Sequence, residues 1–489
     1  MITGFLHASP PDSAEALLFF VVSLNAKPLL IAALLYAACG GPLFRPLAGA
    51  LIAALAGCRT VHRSAEEARS SIMSADGSVA VARADEMAES TVNRTLGLVE
   101  QARLRQLAGD REGSSSVFKP ELERLFADQN EGAIIKGGAV GGQLLAGTFA
   151  DDTAIPYELP PFELLFALQY QFLNELAAGD FDTAGVYLRR ATWYQERLRE
   201  QNAAEDAEVA AEKSKNEQAE KKATDVLDAK LSPIADTVRA SYENALVWYL
   251  RGLWLECDDQ LSNAELSYRE AATLAPSTAA FPRQGADDVV VVYEEGLVDL
   301  RYPIKIPLPL TTVVSCDFPV YRGDPYRPCD LTATLGDVTT NLVKVVDVQA
   351  LGYRDLKDRI PGMVTRNVTR TAVKIAAQQA ANNISTGDAT VDLLLQLGVL
   401  IYNTASTITC EADTRCWTTL PECVQLARLK RAPGASSVRI ARSGGSAMDV
   451  ALPSCPGPVL VWVTDVGAYA QVSVLPVSPQ APASPSAPA

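Results

Sequence analysis

The chain has 489 residues, enough for two or three domains that each bury a core, and it carries 58 acidic against 43 basic residues for a net charge of −15. This acidity leaves no basic face for phosphates, so nucleic-acid and anionic-lipid binding are disfavoured. Only His7 and His62 occur, which removes the commonest general base and metal ligand from the rest of the chain; no cofactor or metal is expected.

Two apolar runs, about residues 16–24 and 29–39, open the chain, and Lys27 and Pro28 separate them. Neither reaches the roughly 20 residues that span a bilayer. Arg45 then precedes LAGALIAALAGC, Leu47 to Cys58. A positive charge, a short apolar core and small residues before a cleavage point are the parts of a secretory signal. The ending Leu55-Ala56-Gly57-Cys58 resembles the lipobox of bacterial lipoproteins, which implies cleavage before Cys58 and acylation of its thiol. Residues 1–57 are therefore expected to be a leader with a misread start, near Leu43. An uncleaved anchor and a buried helix are the alternatives. Arg59, in place of aspartate, implies the outer membrane, facing the periplasm.

Residues 58–90 are small and polar and read as a tether; residues 91–280 carry apolar positions three and four apart, the helical period. Within them, YENALVWYLRGLWLECDDQLSNAELSYREAATLAP places Trp248, Gly252, Leu255, Ala264, Tyr268, Ala271 and Pro276 as tetratricopeptide (TPR) repeats place their large, small and helix-stopping residues. Arg251 replaces the usual leucine. A second unit turns at Gly179-Asp180-Phe181, with Ala184, Leu188 and Ala191 after it. A third turns at Gly109-Asp110, with Ser114 and Phe118 beyond. KGGAVGGQLLAG, Lys136 to Gly147, has phosphate-loop glycine spacing but Gln143-Leu144 where lysine and a hydroxyl residue are needed, so it reads as a helix junction. Residues 195–230, rich in Glu, Lys and Ala, read as an exposed helical extension or a disordered arm.

Strand texture begins near residue 285 and runs to 476, interrupted by helices expected over 356–383 and 389–404. Arg322-Gly323-Asp324 reads as a turn. Glu294 and Glu295 are adjacent on a strand and so point to opposite faces. Residues 477–489 form a Pro, Ala and Ser tail that is expected to be disordered. The fold class is therefore α+β: TPR-like helical hairpins, then a β-rich, sandwich-like domain with covering helices.

Cys316, Cys329, Cys410, Cys416, Cys423 and Cys455 cluster in the last third without a CxxC knuckle, whereas Cys257 reads as a buried thiol. In an exported protein three disulfides are expected. Short separations favour Cys316–Cys329 and Cys410–Cys416, leaving Cys423–Cys455, out of fifteen connectivities.

Three further stretches stand out: IPYELPPFELLFALQYQFLNELAAGDFDTAGVYLRRA from Ile155, VVYEEGLVDLRYPIKIPLPL from Val291, and EADTRCWTTLPECVQLARLKRAPG from Glu411. Together they resemble a poorly characterised family of TPR-containing bacterial lipoproteins. The third carries Glu411, Asp413, Arg415, Trp417, Leu420 and Pro421 of the family's acidic–arginine–tryptophan–leucine–proline signature. Cys416 stands where the family commonly has serine, which makes a local bridge to Cys410 plausible. The family's activity is not established, and its members are often encoded beside a lipoprotein activator of penicillin-binding proteins. From the residues alone, the signature reads as a salt-bridged corner with Trp417 over Arg415 and a proline-initiated strand, and less readily as a carboxylate site.

The leading expectation is a non-catalytic, lipid-anchored scaffold for envelope proteins, possessing a TPR groove in which Trp193, Tyr194, Trp248 and Tyr249 are candidate contacts. The alternatives are an envelope enzyme with paired carboxylates and a structural subunit of a surface assembly.

Overall fold

The computed structural model describes residues 61–130, 155–205, 216–310, 313–323, 326–382, 412–466 and 469–479. The chain divides after Ser64 into two units. Of the first, only residues 61–64, the start of a helix, are described. The second has a mixed α+β architecture, with helices in the N-terminal half and sheets in the C-terminal part.

The helices of the first half are α1 (Val61–Met73), α2 (Ser78–Glu89), α3 (Arg94–Leu107), α4 (Arg111–Asn130), α5 (Pro161–Ala177), α6 (Phe181–Glu205), α7 (Glu217–Ala235), α8 (Ala245–Cys257) and α9 (Leu261–Leu274). Local chemistry sets their ends. The Asn244 side chain accepts from the backbone N–H groups of Leu246 and Val247, capping α8. Asp110 Oδ1 accepts from Gly113 N–H at 2.8 Å and Asp180 Oδ1 from Thr183 N–H at 3.0 Å, starting α4 and α6. The preceding Gly109 and Gly179 take φ of +83° and +79°, the left-handed conformation that closes a helix and that side chains disfavour.

The second half contributes β1 (Val289–Glu295), β2 (Tyr302–Pro309), β3 (Val313–Val320), β4 (Leu331–Leu335), β5 (Val338–Asn341), β6 (Val343–Asp347), α10 (Val348–Asp358), α11 (Ile360–Asn382), β7 (Cys423–Leu429), β8 (Ser437–Arg442), β9 (Ala447–Ala451), β10 (Val459–Asp465) and β11 (Ala470–Pro476). They form a five-stranded sheet ordered β11-β10-β1-β7-β6, a four-stranded sheet ordered β5-β4-β8-β9, and the hairpin β2-β3. β1 pairs in parallel with β10 and antiparallel with β7, and every residue of β1 is buried. That burial on both faces explains its unbroken VVVVY run.

The two halves share one core. Leu96, Leu165, Tyr170, Leu246 and Leu253 of the helices pack in the same cluster as Val290, Val292, Leu426 and Val461 of the larger sheet and Ala333 and Ile440 of the smaller one. Thus the expected division into a helical domain over 91–280 and a β-rich one over 285–476 marks a change of texture inside one packed body.

Two expected segments differ from their sequence reading. The tether over 58–90 contains α1 and α2, because its small residues form buried helix faces: Ala68, Ile72, Ala80 and Ala84 pack with Leu104, Leu297 and Val466. The charged insertion over 195–230 contains the end of α6 and most of α7. One face of α7 (Ala219, Ala223, Leu227, Leu231 and Ile234) is buried in a second core with Ile306, Phe318, Tyr353 and Leu356. Its Glu and Lys residues occupy the other face, as amphipathicity requires. The helix expected over 356–383 is split into α10 and α11, the first capped by Asp347, whose carboxylate accepts from Ala350 N–H at 2.9 Å. The helix expected over 389–404, the glycine-rich stretch from Lys136 and the tail beyond 479 lie outside the described residues.

Candidate functional site

The helical half reaches the sheet half through buried carboxylates. From α3, Glu100 accepts from Thr418 N–H and Oγ1–H, both at 2.6 Å, and from Thr419 Oγ1–H at 2.7 Å. From α5, Glu163 accepts from Trp417 N–H at 3.1 Å and Tyr157 O–H at 2.8 Å. Burial pushes the Glu163 carboxyl up to about 7, against the pull of Trp417 N–H and the Arg301 charge. Glu100 is raised for the same reason.

These two acids grip the segment that leads into β7, where the sequence signature lies. Arg415 Nη2 donates to Asp413 at 2.7 Å, and its Nη1 donates to the carbonyls of Val92 at 3.2 Å and Ile155 at 3.0 Å. The guanidinium stacks over Tyr157, 5.5 Å from the ring centroid. Tyr157 thus takes the place expected for Trp417, whose fully buried ring packs instead beside Phe118 at 6.1 Å and Tyr170 at 6.0 Å. Leu420 and Pro421 are buried directly before β7. Glu411 lies outside the described residues.

Glu294 and Glu295 do face opposite sides of β1, and each is engaged. Glu294 takes the guanidinium of Arg103 and accepts from Tyr170 O–H at 2.9 Å and Thr464 O–H at 2.6 Å. Arg103 also lies over the Tyr170 ring, 3.9 Å from its centroid. On the other face, Glu295 accepts from Cys329 N–H at 3.1 Å and Arg442 Nη2–H at 3.0 Å. The same Arg442 nitrogen reaches Asp465 at 3.3 Å. Glu295 and Asp465 are therefore an acid pair with the Arg442 guanidinium lodged between them.

Of the cysteines expected to pair, Cys329, Cys416, Cys423 and Cys455 are free thiols in this structure. Cys316 lies in the second core, its sulfur 3.2 Å from Thr371 Oγ1, whereas Cys329 packs against the main core, so the two are not opposed across a hairpin. Cys423 is fully buried in β7 and Cys455 packs on the main core. Cys257 is half-buried, and burial raises its thiol to about 12. Cys58 and Cys410 lie outside the described residues.

Residues chosen for their hairpin spacing line the helix contacts. Trp248, Ala264 and Ala271 are buried, and a methyl group on Gly252 would meet Tyr268 Cε1 at 2.7 Å. Ala184 and Ala191 are fully buried on α6, and Pro276 opens the 3-10 turn Pro276–Ala280. Gly185, not singled out by spacing, lies directly against the Trp254 ring. Of the aromatic groove candidates, Tyr194, Trp248 and Tyr249 are core, with Tyr249 O–H donating to the Phe281 carbonyl at 2.7 Å. Trp193 alone of the four is open, 45% exposed on α6.

Trp193 has company. Gly185 against Trp254 and Gln195 against Asn244 make α6 antiparallel to α8, and α9 folds back on α8, so α6 and α9 run in the same direction. Arg199 Nη1 donates to Glu270 Oε2 at 3.4 Å between them. From that contact, Trp193 stands about 9 Å toward the start of α6 and Leu266 about 6 Å toward the start of α9. Leu266 is 53% exposed, and Leu261 on α9 is exposed as well. This α6–α9 surface is the candidate interaction site. No protein-family model, curated protein or solved structure matched the chain.

Proposed function

We propose that the chain is a lipid-anchored adaptor of the bacterial envelope, acylated at Cys58 and facing the periplasm from the outer membrane. Its helical pairs act as TPR-like units, and their outer helices α6 and α9 present the docking face to a partner protein. The sheets serve as the rigid backing, since Glu100, Glu163 and Glu294 tie them to α3 and α5. The observation that supports this reading most is the exposure of Trp193 on α6 and of Leu266 on α9. Large aromatic side chains left in water on a rigid helix are the usual anchors of protein interfaces. The partner segment it suits presents an apolar residue to Trp193 and acid or amide groups to the Arg199–Glu270 rim.

A pull-down from native membranes tests the reading. The wild-type protein should recover an envelope partner above a Cys58→Ser control. Trp193→Ala should cost about 2 kcal/mol of that affinity while leaving folding stability within about 0.5 kcal/mol. Equal recovery by wild type and Trp193→Ala would remove α6 from the interface.

A further inference from the structure

The turn between α3 and α4 rests on β11, the edge strand of the five-stranded sheet: a methyl group on Gly109 would meet Gln471 Nε2 at 3.7 Å. Two guanidiniums reach the sheet here, Arg103 from α3 and Arg111 from the first position of α4. Arg103 takes Glu294, whose partner across the ladder is Thr464. Arg111 Nη2 donates to Ser473 Oγ, and Ser473 stands directly opposite Trp462. The rows Glu294–Thr464–Gln471 and Val292–Trp462–Ser473 lie two residues apart along the strands, about 7 Å, so both guanidiniums meet one patch of sheet.

Three donors on this patch, Arg103 Nε, Arg111 Nη1 and Trp462 Nε1, are buried and find no acceptor among the described residues. Arg103 and Trp462 are 2% and 3% exposed. The charges do not balance either. Arg111 feels the charges of Arg103 and Glu294, and its neighbour Asp110 is turned to the Gly113 N–H at 2.8 Å. Burial and the Arg103 charge push the Arg111 guanidinium down to about 10, against a weaker pull from Glu294. Two guanidiniums thus share one carboxylate, which leaves the patch with a surplus of one positive charge.

Every orphaned group is a donor, so the partner that completes the patch is an acceptor, and the surplus makes it an anion of single charge. Water supplies the acceptor without the charge, and a divalent oxyanion would reverse the sign of the surplus. We propose that a halide ion, chloride in ordinary media, binds between the α3–α4 turn and β11, held by Arg111 Nη1–H and Trp462 Nε1–H beside the Arg103 charge. A spherical ion accepts N–H groups from any direction, which suits donors that arrive from a helix and a strand. Arg111, Gln471 and Ser473 are only partly buried, so the ion exchanges with solvent at the sheet edge. Bound there, it ties the edge strand to the helices.

The test is thermal unfolding of the full-length chain while sodium chloride replaces sodium gluconate at fixed ionic strength. The midpoint should rise by about 3 °C and saturate, as one site requires. Chloride NMR lines should broaden with the protein and sharpen again when bromide competes. Arg111→Gln should abolish both effects, and Trp462→Phe, which keeps a ring but loses the N–H, should weaken chloride about tenfold. Ser473→Asp supplies the negative charge from the protein itself. It should melt in gluconate as high as wild type does in chloride and ignore added chloride, which keeps the test decisive if Arg111→Gln fails to fold. An equal rise in wild type and Arg111→Gln overturns the proposal, as does a Ser473→Asp protein that still responds to chloride. Absence of line broadening with the wild-type protein also overturns it and assigns the patch to water.

Discussion

Replacing Glu294 by glutamine probes the joint between helices and sheet. In the native protein its carboxylate is 0% exposed and faces the Arg103 guanidinium, itself 2% exposed. Glutamine keeps the volume but removes the charge, which leaves Arg103 buried without its counter-ion. It also turns an amide N–H₂ toward a site where Arg103, Tyr170 and Thr464 all donate. Removing one partner of a buried pair costs about 3–5 kcal/mol, most of it the desolvation of the abandoned charge. Glu294→Gln should therefore lose about 4 kcal/mol in urea unfolding monitored by circular dichroism. Adding Arg103→Met removes the stranded charge and should restore at least half of the loss, because an apolar replacement of both partners is often nearly neutral. A Glu294→Gln protein within about 1 kcal/mol of wild type would show that the pair does not bind the halves together, and an additive double mutant would show that the two residues do not interact.

Stability should also depend on pH through Glu163. Its folded value, about 7, lies above the ordinary 4.5, so the native state holds the proton more tightly than the unfolded chain. The associated stabilisation is full below pH about 4.5 and is lost as pH rises to 7, a change of about 3 kcal/mol. Comparing Glu163→Gln with wild type by thermal unfolding between pH about 4.5 and about 8 isolates this contribution; parallel curves would refute it. Gly185→Ala should destabilise by about 1–3 kcal/mol, since its methyl would press on Trp254, stacked on Phe181 at 5.1 Å and held by its Nε1–H donating to the Phe181 carbonyl at 2.9 Å. A melt unchanged from wild type would mean that α6 and α8 separate easily.

Local features were legible in the sequence, and distant ones were not. Gly109-Asp110 and Gly179-Asp180 announce their turns because one residue supplies the positive φ and the next caps the helix after it. The VVVVY run announces a strand buried on both faces. By contrast, the alanines of α1 and α2 read as a tether, because alanine looks equally at home in water and in a close helix contact. The buried acids had only a faint signal: Glu163 and Glu294 each interrupt an otherwise apolar run. Their partners stand far off, with Glu163 and Trp417 254 positions apart and Glu100 and Thr418 318. No local pattern predicts such pairings. Sequence separation likewise does not say which core a cysteine enters, and Cys316 and Cys329 fall in different ones.

The placement of β1 also sets an order of assembly. Central in its sheet, it is flanked by β7 and β10, and the Thr464–Glu294 bond spans 170 positions. While the chain is being made, β1 waits with both hydrogen-bonding edges open until β7 emerges, and with one edge open until β10 follows. Closing so long a loop is entropically costly and slow. The helical half meanwhile carries Arg103 with no Glu294 pair until β1 docks. A nascent chain that cannot finish its core early stays open for longer, which makes a holding chaperone advantageous until the C-terminal strands arrive.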